Sequence, residues 1–238
     1  MTQELTVLIV LAASIGFFHT LLGPDHYIPF IVMAKARNWS MIKTGWITFF
    51  CGLGHVGSSV LLGLVGVAFG FGISKIEPFE SFRGALAAWL FIAFGLVYFI
   101  WGVRKAIKNK PHKHFHYHSD GIEHIHEHKH TDEHTHVHLE ENSKKNITPW
   151  ILFTIFLLGP CEPLIPILMY PAAQNSIFGM VSVTIVFSLV TVLTMLVVVL
   201  ITSYGVNLLP IQKLERYMHA VAGAMILLSG IGIQFMGL

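Results

Sequence analysis

Between residues 5 and 34 the chain has no Lys, Arg or Glu, and its single carboxylate, Asp25, stands inside His19-Thr20-Leu21-Leu22-Gly23-Pro24-Asp25-His26. An apolar run of this length exceeds the roughly 20 helical residues that cross a ~30 Å hydrocarbon layer. It therefore reads as a membrane helix that is tilted, or broken at Gly23-Pro24. Five further apolar runs follow, at 44–72, 84–103, 149–172, 177–204 and 218–238. Charged residues are 12% of the chain and mean hydropathy is +0.66, against roughly 25% charged in a soluble domain. The expected fold is an all-α integral membrane protein with six transmembrane helices, helices 1 and 4 being broken at Gly-Pro. A net charge of +2, spread over several loops, argues against nucleic acid as a partner. Cys51 and Cys161 both lie in apolar runs, so no disulfide framework is visible. Met1 to Glu4 holds an acid and no base, and a cleaved signal peptide is not expected.

Thirteen of the 15 Lys and Arg residues fall on one side of the six-span arrangement, and only Lys75 and Arg83 on the other. Cytoplasmic loops are enriched in these residues, so both termini are expected outside the cell membrane and the long 104–148 loop in the cytoplasm. Trp39, Trp46, Trp101 and Trp150 collect at the same edge. The chain also repeats itself. Leu21-Leu22-Gly23-Pro24-Asp25-His26-Tyr27-Ile28-Pro29 returns, 136 residues on, as Leu157-Leu158-Gly159-Pro160-Cys161-Glu162-Pro163-Leu164-Ile165-Pro166. At an offset of 135, Ala85, Ala87, Gly95 and Gly102 match Ala220, Ala222, Gly230 and Gly237. Two halves of three spans each, 1–103 and 149–238, must enter the bilayer in opposite directions, the inverted-repeat plan of secondary transporters.

An ionisable group at membrane depth costs on the order of 2.5 to 3.5 kcal/mol on insertion scales and marks a functional site by default. Each Gly-Pro pair precedes a carboxylate, Asp25 or Glu162, and the prolines free backbone carbonyls four residues earlier, including those of Phe156 and Gly159. In hydrocarbon such carbonyls need protein, water or a cation. His19 and His26, seven apart, lie ~10.5 Å apart along an intact helix, too far to share a metal whose bonds to nitrogen are ~2.1 Å. A break at Gly23-Pro24 would fold them together. His55, in Gly52-Leu53-Gly54-His55-Val56-Gly57, adds an imidazole beside glycines that permit close helix approach. Imidazole with carboxylate suits a borderline transition metal rather than Mg²⁺ or Ca²⁺. The candidate metal ligands are thus His19, Asp25, His26, His55, Cys161 and Glu162. Structural readings compete: His55 as a packing residue, Asp25-His26 as a proton relay, Cys161 and Cys51 as small buried groups. His219, beside Tyr217 at the inner edge, is given no role.

The loop between residues 112 and 138 carries 11 of the 15 histidines: His112, His114, His116, His118, His124, His126, His128, His130, His134, His136 and His138. Such a tract cannot build a core, is expected to be disordered when empty, and reads as metal-binding. Neutral imidazoles bind metal in competition with protons.

His19-x5-Asp25-His26 and Leu53-Gly54-His55 resemble the signatures of the nickel/cobalt transporter superfamily, and the two Gly-Pro motifs resemble its urease-accessory UreH-type membrane branch. The resemblance spans all six helices in outline but rests on three short motifs, with one residue more between His and Asp-His than the permease motif has. It implies a carrier of Ni²⁺ or Co²⁺, Zn²⁺ being compatible, with His19, Asp25, His26 and His55 as the site. The function so read is transmembrane passage of a divalent metal through a midplane site, in a direction the sequence does not fix, with the histidine loop as buffer and a cytoplasmic metallochaperone as a partner. No enzymatic activity and no resident cofactor are implied. The alternatives are a membrane thiol-redox carrier, for which Asp25 stands where a second cysteine would be wanted, an exporter of a small anion such as sulfite, and a metal sensor or store.

Overall fold

The computed structural model describes residues 3–70, 73–108, 112–117, 123–128, 147–159, 161, 163–174, 176–209 and 212–236. The body is helical. Helix α1 is Gln3–Leu22, followed by a 3-10 turn, Pro24–His26, and α2, Ile28–Ala36; α3 is Met41–Ala68 and α4 is Ile73–Lys108. In the second half α5 is Thr148–Leu158, α6 is Leu164–Ala173, α7 is Ile177–Leu208 and α8 is Met218–Met236. Among the described residues five helices are long and apolar enough to cross a membrane: Gln3–Leu22, Met41–Ala68, Lys75–Lys108, Ile177–Leu208 and Leu214–Met236. The expected fourth span is instead two short apolar helices, α5 and α6, because Gly159 leaves the helix in an extended conformation and the prolines that follow cannot donate to it.

Local chemistry sets the boundaries. The Gly23 amide closes α1 on the His19 carbonyl at 3.0 Å, and Pro24 has no N–H to continue it. The chain then turns, and α2 restarts with Pro29 in its first turn, where a missing N–H costs nothing. Ser40 caps α3 by accepting from the Lys43 amide at 3.2 Å, and Ser176 caps α7 through the Gly179 amide at 3.1 Å, each satisfying an otherwise orphaned donor.

The third span starts at Ile73 rather than at residue 84. Pro78 sits in its second turn, where only one helical hydrogen bond is lost. This extension carries Glu80 and Arg83 into the bundle, where both are buried. Helices α4 and α8 pack closely because small residues face each other: a Cβ on Gly95 would strike the Leu227 backbone, one on Gly102 that of Ala220, and one on Gly223 that of Phe99. The core beneath gathers Phe30, Phe91, Tyr98, Leu152, Phe156 and Met195. Large apolar side chains such as Leu22, Leu61, Phe69, Ile185 and Phe235 face outward, as lipid requires and water does not.

Part of the histidine loop forms a two-stranded antiparallel ribbon, His112–Tyr117 with Glu123–His128, rather than lacking structure. Its register sets His112, His114 and His116 opposite His128, His126 and His124, and the His-x-His alternation has the period of a strand. His118, His130, His134, His136 and His138 lie outside the described residues.

Candidate metal centre

The break after α1 brings the two first-helix histidines together. With Gly23 extended at φ −86° and ψ 96°, the 3-10 turn swings His26 back so that its ring lies 4.7 Å, centroid to centroid, from that of His19. Only glycine fits at position 23, because a Cβ there would lie 2.5 Å from His26 Nδ1 and 2.9 Å from Asp25 Oδ1. From α3, His55 brings its ring to 5.0 Å from that of His26. The three residues each offer a ring nitrogen, all within 4.8 Å of one another.

The hydrogen bonds of His26 fix how it can act. Its Nδ1 lies 3.1 Å from the Gly23 carbonyl oxygen and 3.2 Å from Asp25 Oδ1. Both partners are acceptors, so Nδ1 carries the proton and donates. Nε2 is then left as a lone pair, 3.3 Å from His55 Nε2. Two nitrogens bound at ~2.1 Å to one tetrahedral ion stand about 3.4 Å apart, so the pair is already at ligand spacing. Metal-binding histidines characteristically donate their other ring N–H to a carboxylate or backbone carbonyl; for His26 the Gly23 carbonyl is the hydrogen-bond partner, with Asp25 beside it in an ion-pair contact. Asp25 thus stands on the Nδ1 side of His26, outside the three-nitrogen group. His19 Nε2 is buried without a hydrogen-bond partner among the described residues, a cost of about 1–3 kcal/mol for such a group that a bound cation would remove.

These groups line a cavity of about 740 Å³ that also reaches Ser14, Ser81 and Gln234. Ser14 lies on α1 five residues before His19, Ser81 toward the start of α4 and Gln234 near the end of α8, so the cavity extends from the histidines toward the end of the bundle where α4 begins and α8 stops. Phe156 also lines it, its ring centroid 6.1 Å from that of His55, 4.6 Å from Phe30 and 5.9 Å from Phe91.

Cys161 is not brought into the histidine group. Its amide donates to Ser59 Oγ at 3.1 Å, and its fully buried side chain belongs to an apolar cluster with Ala12, Val56 and Phe187. Glu162 lies outside the described residues. Cys51 sits eight residues before Ser59 on α3, a rise of about 12 Å, and belongs to a different cluster; no disulfide joins the two. The carbonyl freed at the second break is met by protein. Arg83 Nη2 donates to the oxygens of Gly159 at 3.1 Å, Leu157 at 3.3 Å and Ser58 Oγ at 2.7 Å, while Nη1 binds Glu80 at 2.6 Å. Ser58 Oγ in turn donates to the His55 carbonyl at 2.9 Å. The guanidinium thus ties the second break to the helix that carries His55. The trace of this in sequence is an acid and a base three residues apart, ahead of an apolar run.

Neither a curated protein nor a solved structure matches the chain. A family model does: "cytochrome C biogenesis protein transmembrane region", over residues 28–232. This overturns the assignment to the nickel/cobalt transporter superfamily and its urease-accessory branch, whose resemblance rested on short motifs, two of the three histidines of which precede the matched region. The match includes His55, Arg83 and Cys161 and extends over far more than half of the sequence. The chain is a multi-pass membrane protein that belongs to the family of cytochrome c biogenesis protein transmembrane regions.

Proposed function

We propose that this protein passes a divalent transition-metal ion into or across the membrane through the His19–His26–His55 site. The observation that carries the reading is the His26 ring, held by Gly23 and Asp25 so that its Nε2 lone pair faces His55 Nε2 at 3.3 Å. The ion is cargo, and Ni²⁺, Co²⁺ and Zn²⁺ all suit imidazole nitrogen. Asp25 orients His26, Arg83 fixes the second break, and the histidine loop buffers metal at the mouth beyond Phe156. That mouth is cytoplasmic if the basic loops lie inside.

The six-span inverted repeat fits this role, α5 and α6 together making the fourth crossing. Its support is reciprocal packing. A Cβ on Gly95 would strike the Leu227 backbone, and one on Gly230 would lie 2.8 Å from the Ile92 amide nitrogen; adding 135 to 95 and 92 gives 230 and 227. Likewise α1 packs on α7 as α5 packs on α3, and α2 on α7 as α6 on α3, as a pseudo-two-fold axis between the halves demands.

The family match favours a second reading, the membrane thiol-redox carrier, over metal passage. Cys161, following Gly159-Pro160 at the second break, is the residue that would serve it. Against that reading stands the first break, which holds Asp25 and His26 where a partner thiol would be needed. Uptake of Co²⁺, Ni²⁺ and Zn²⁺ into sealed proteoliposomes, compared with exchange of thiol reducing equivalents across the same membranes, tests the two. Metal flux lost in His26→Gln and kept in Cys51→Ser/Cys161→Ser supports the first; thiol exchange lost in the cysteine variant, with no metal flux, supports the second.

A further inference from the structure

At the end of the bundle away from the cavity mouth, α2, α4 and α8 meet around a polar node that the metal reading does not use. Close packing of Gly102 on the backbone of His219 and Ala220 brings His219 against two residues of α4. Lys105 Nζ lies 3.0 Å from His219 Nε2, and Tyr98 Oη lies 2.8 Å from His219 Nδ1. Arg37, at the end of α2, donates from Nε to the same Tyr98 oxygen at 3.0 Å. Its guanidinium stands over the rings of Tyr98 and Trp101 at 5.4 and 5.7 Å, and Lys105 Nζ stands 5.2 Å from the Trp101 ring.

The hydrogen count at this node is one-sided. An ammonium only donates, so His219 Nε2 accepts from Lys105 and Nδ1 carries the proton. Nδ1 then donates to Tyr98, whose oxygen already accepts from Arg37. The Tyr98 hydrogen, the Arg37 Nη groups and the remaining Lys105 hydrogens are left over. The two ion pairs among the described residues are those of Asp25 and Glu80, so neither Arg37 nor Lys105 has a carboxylate. Two positive charges and a phenol O–H therefore converge with no carboxylate acceptor among the described residues, and they do so beside Trp101, an exposed aromatic ring of the kind that settles at headgroup depth.

We propose that this node binds a phosphate group, whose several acceptor oxygens suit a guanidinium, an ammonium and a hydroxyl together. At this depth the phosphodiester of an anionic lipid is one source, and free phosphate the other. The inference is independent of what the histidine site carries.

The test is native mass spectrometry of the purified full chain in detergent, titrated with phosphatidylglycerol, with phosphate-free diacylglycerol, and with inorganic phosphate. Phosphatidylglycerol should be retained at least tenfold better than diacylglycerol. Arg37→Gln/Lys105→Gln should lower that retention about tenfold, and Tyr98→Phe, which keeps the ring, several-fold. Arg104→Gln/Lys108→Gln removes the same charge outside the node and should leave retention within twofold. Binding of inorganic phosphate without lipid retention, lost in the same node variants, would support the site and assign a soluble source. Equal losses in the two double variants would overturn the proposal, as would the absence of both lipid preference and phosphate binding. Unchanged melting of Tyr98→Phe without lipid separates a lost ligand from a lost fold.

Discussion

Replacing Asp25 by Asn tests the metal centre at its most specific point. The carboxylate lies 3.2 Å from His26 Nδ1, is about one-fifth exposed, and does not itself reach the three-nitrogen group. Asn keeps the shape and one carbonyl oxygen but removes the charge that makes His26 a better electron donor and holds its ring. Loss of an outer-shell partner typically weakens metal binding 10–100-fold, about 1.4 to 2.8 kcal/mol at 1.4 kcal/mol per decade. The Gly23 carbonyl, at 3.1 Å from the same nitrogen, still fixes the tautomer, so the effect should lie nearer the tenfold end. His26→Gln, which removes a ligand outright, should cost more. Deleting residues 112–138 in the same background prevents the loop from masking the site. The assay is Co²⁺ titration of the purified protein, read by calorimetry and by the visible absorption of nitrogen-bound Co²⁺, with thermal melting as the control for folding. Asp25→Asn binding within twofold of the parent, or binding lost equally in Asp25→Asn and His26→Gln, would refute the division of labour between ligand and orienting carboxylate.

Other perturbations follow the same geometry. Gly23→Ala places a methyl 2.5 Å from His26 Nδ1; it should reduce Co²⁺ affinity at least as much as Asp25→Asn while the protein still inserts, as titration of the membrane-extracted variant would show. Arg83→Met removes the guanidinium from buried Glu80 and from the Gly159 carbonyl. Breaking a buried pair in this way costs about 3–5 kcal/mol, read as a large drop in melting temperature in detergent, and Arg83→Lys should recover only part because an ammonium cannot span four acceptors. Gly95→Leu drives a side chain into the Leu227 backbone and should destabilise the protein by at least the 1–3 kcal/mol of ordinary overpacking, seen in the same melt. Deletion of 112–138 alone should change the apparent affinity or capacity of metal uptake more than its maximal rate; complete loss of uptake in vesicles would place the loop on the path itself.

Several features were legible without coordinates because they depend on neighbouring residues alone. The apolar runs announce membrane helices, and Gly23-Pro24 announces a break because proline cannot donate and glycine has no Cβ. The folding together of His19 and His26 follows from that break, and His55 joins them as its residue type and flanking glycines suggested. Where such local rules stopped, so did the reading. The start of α4 was placed some ten residues too late because Glu77, Glu80 and Arg83 look like a loop until Glu80 and Arg83 are seen to satisfy each other. Cys161 was grouped with the ligands because it follows a Gly-Pro pair, yet Ser59 takes its amide and apolar neighbours take its side chain. Family membership was misjudged for a related reason: three short motifs record a few polar positions, whereas the match over residues 28–232 rests on the whole run of helices.

The sequence by itself determined that this chain enters a membrane as helices, where it must bend, and which side chains are too costly there to be idle. These are sums over adjacent residues, and the hydrocarbon layer enforces them wherever the helix lies. Only the tertiary structure decided that Asp25 sits beside one nitrogen of His26 while His55 faces the other, that Arg83 holds the second break, and that Arg37, Tyr98, Lys105 and His219 converge. Those facts depend on the angle and closeness with which separate helices cross, set here by contacts such as Gly95 on Leu227 and Gly102 on Ala220, residues more than a hundred positions apart that no local pattern relates.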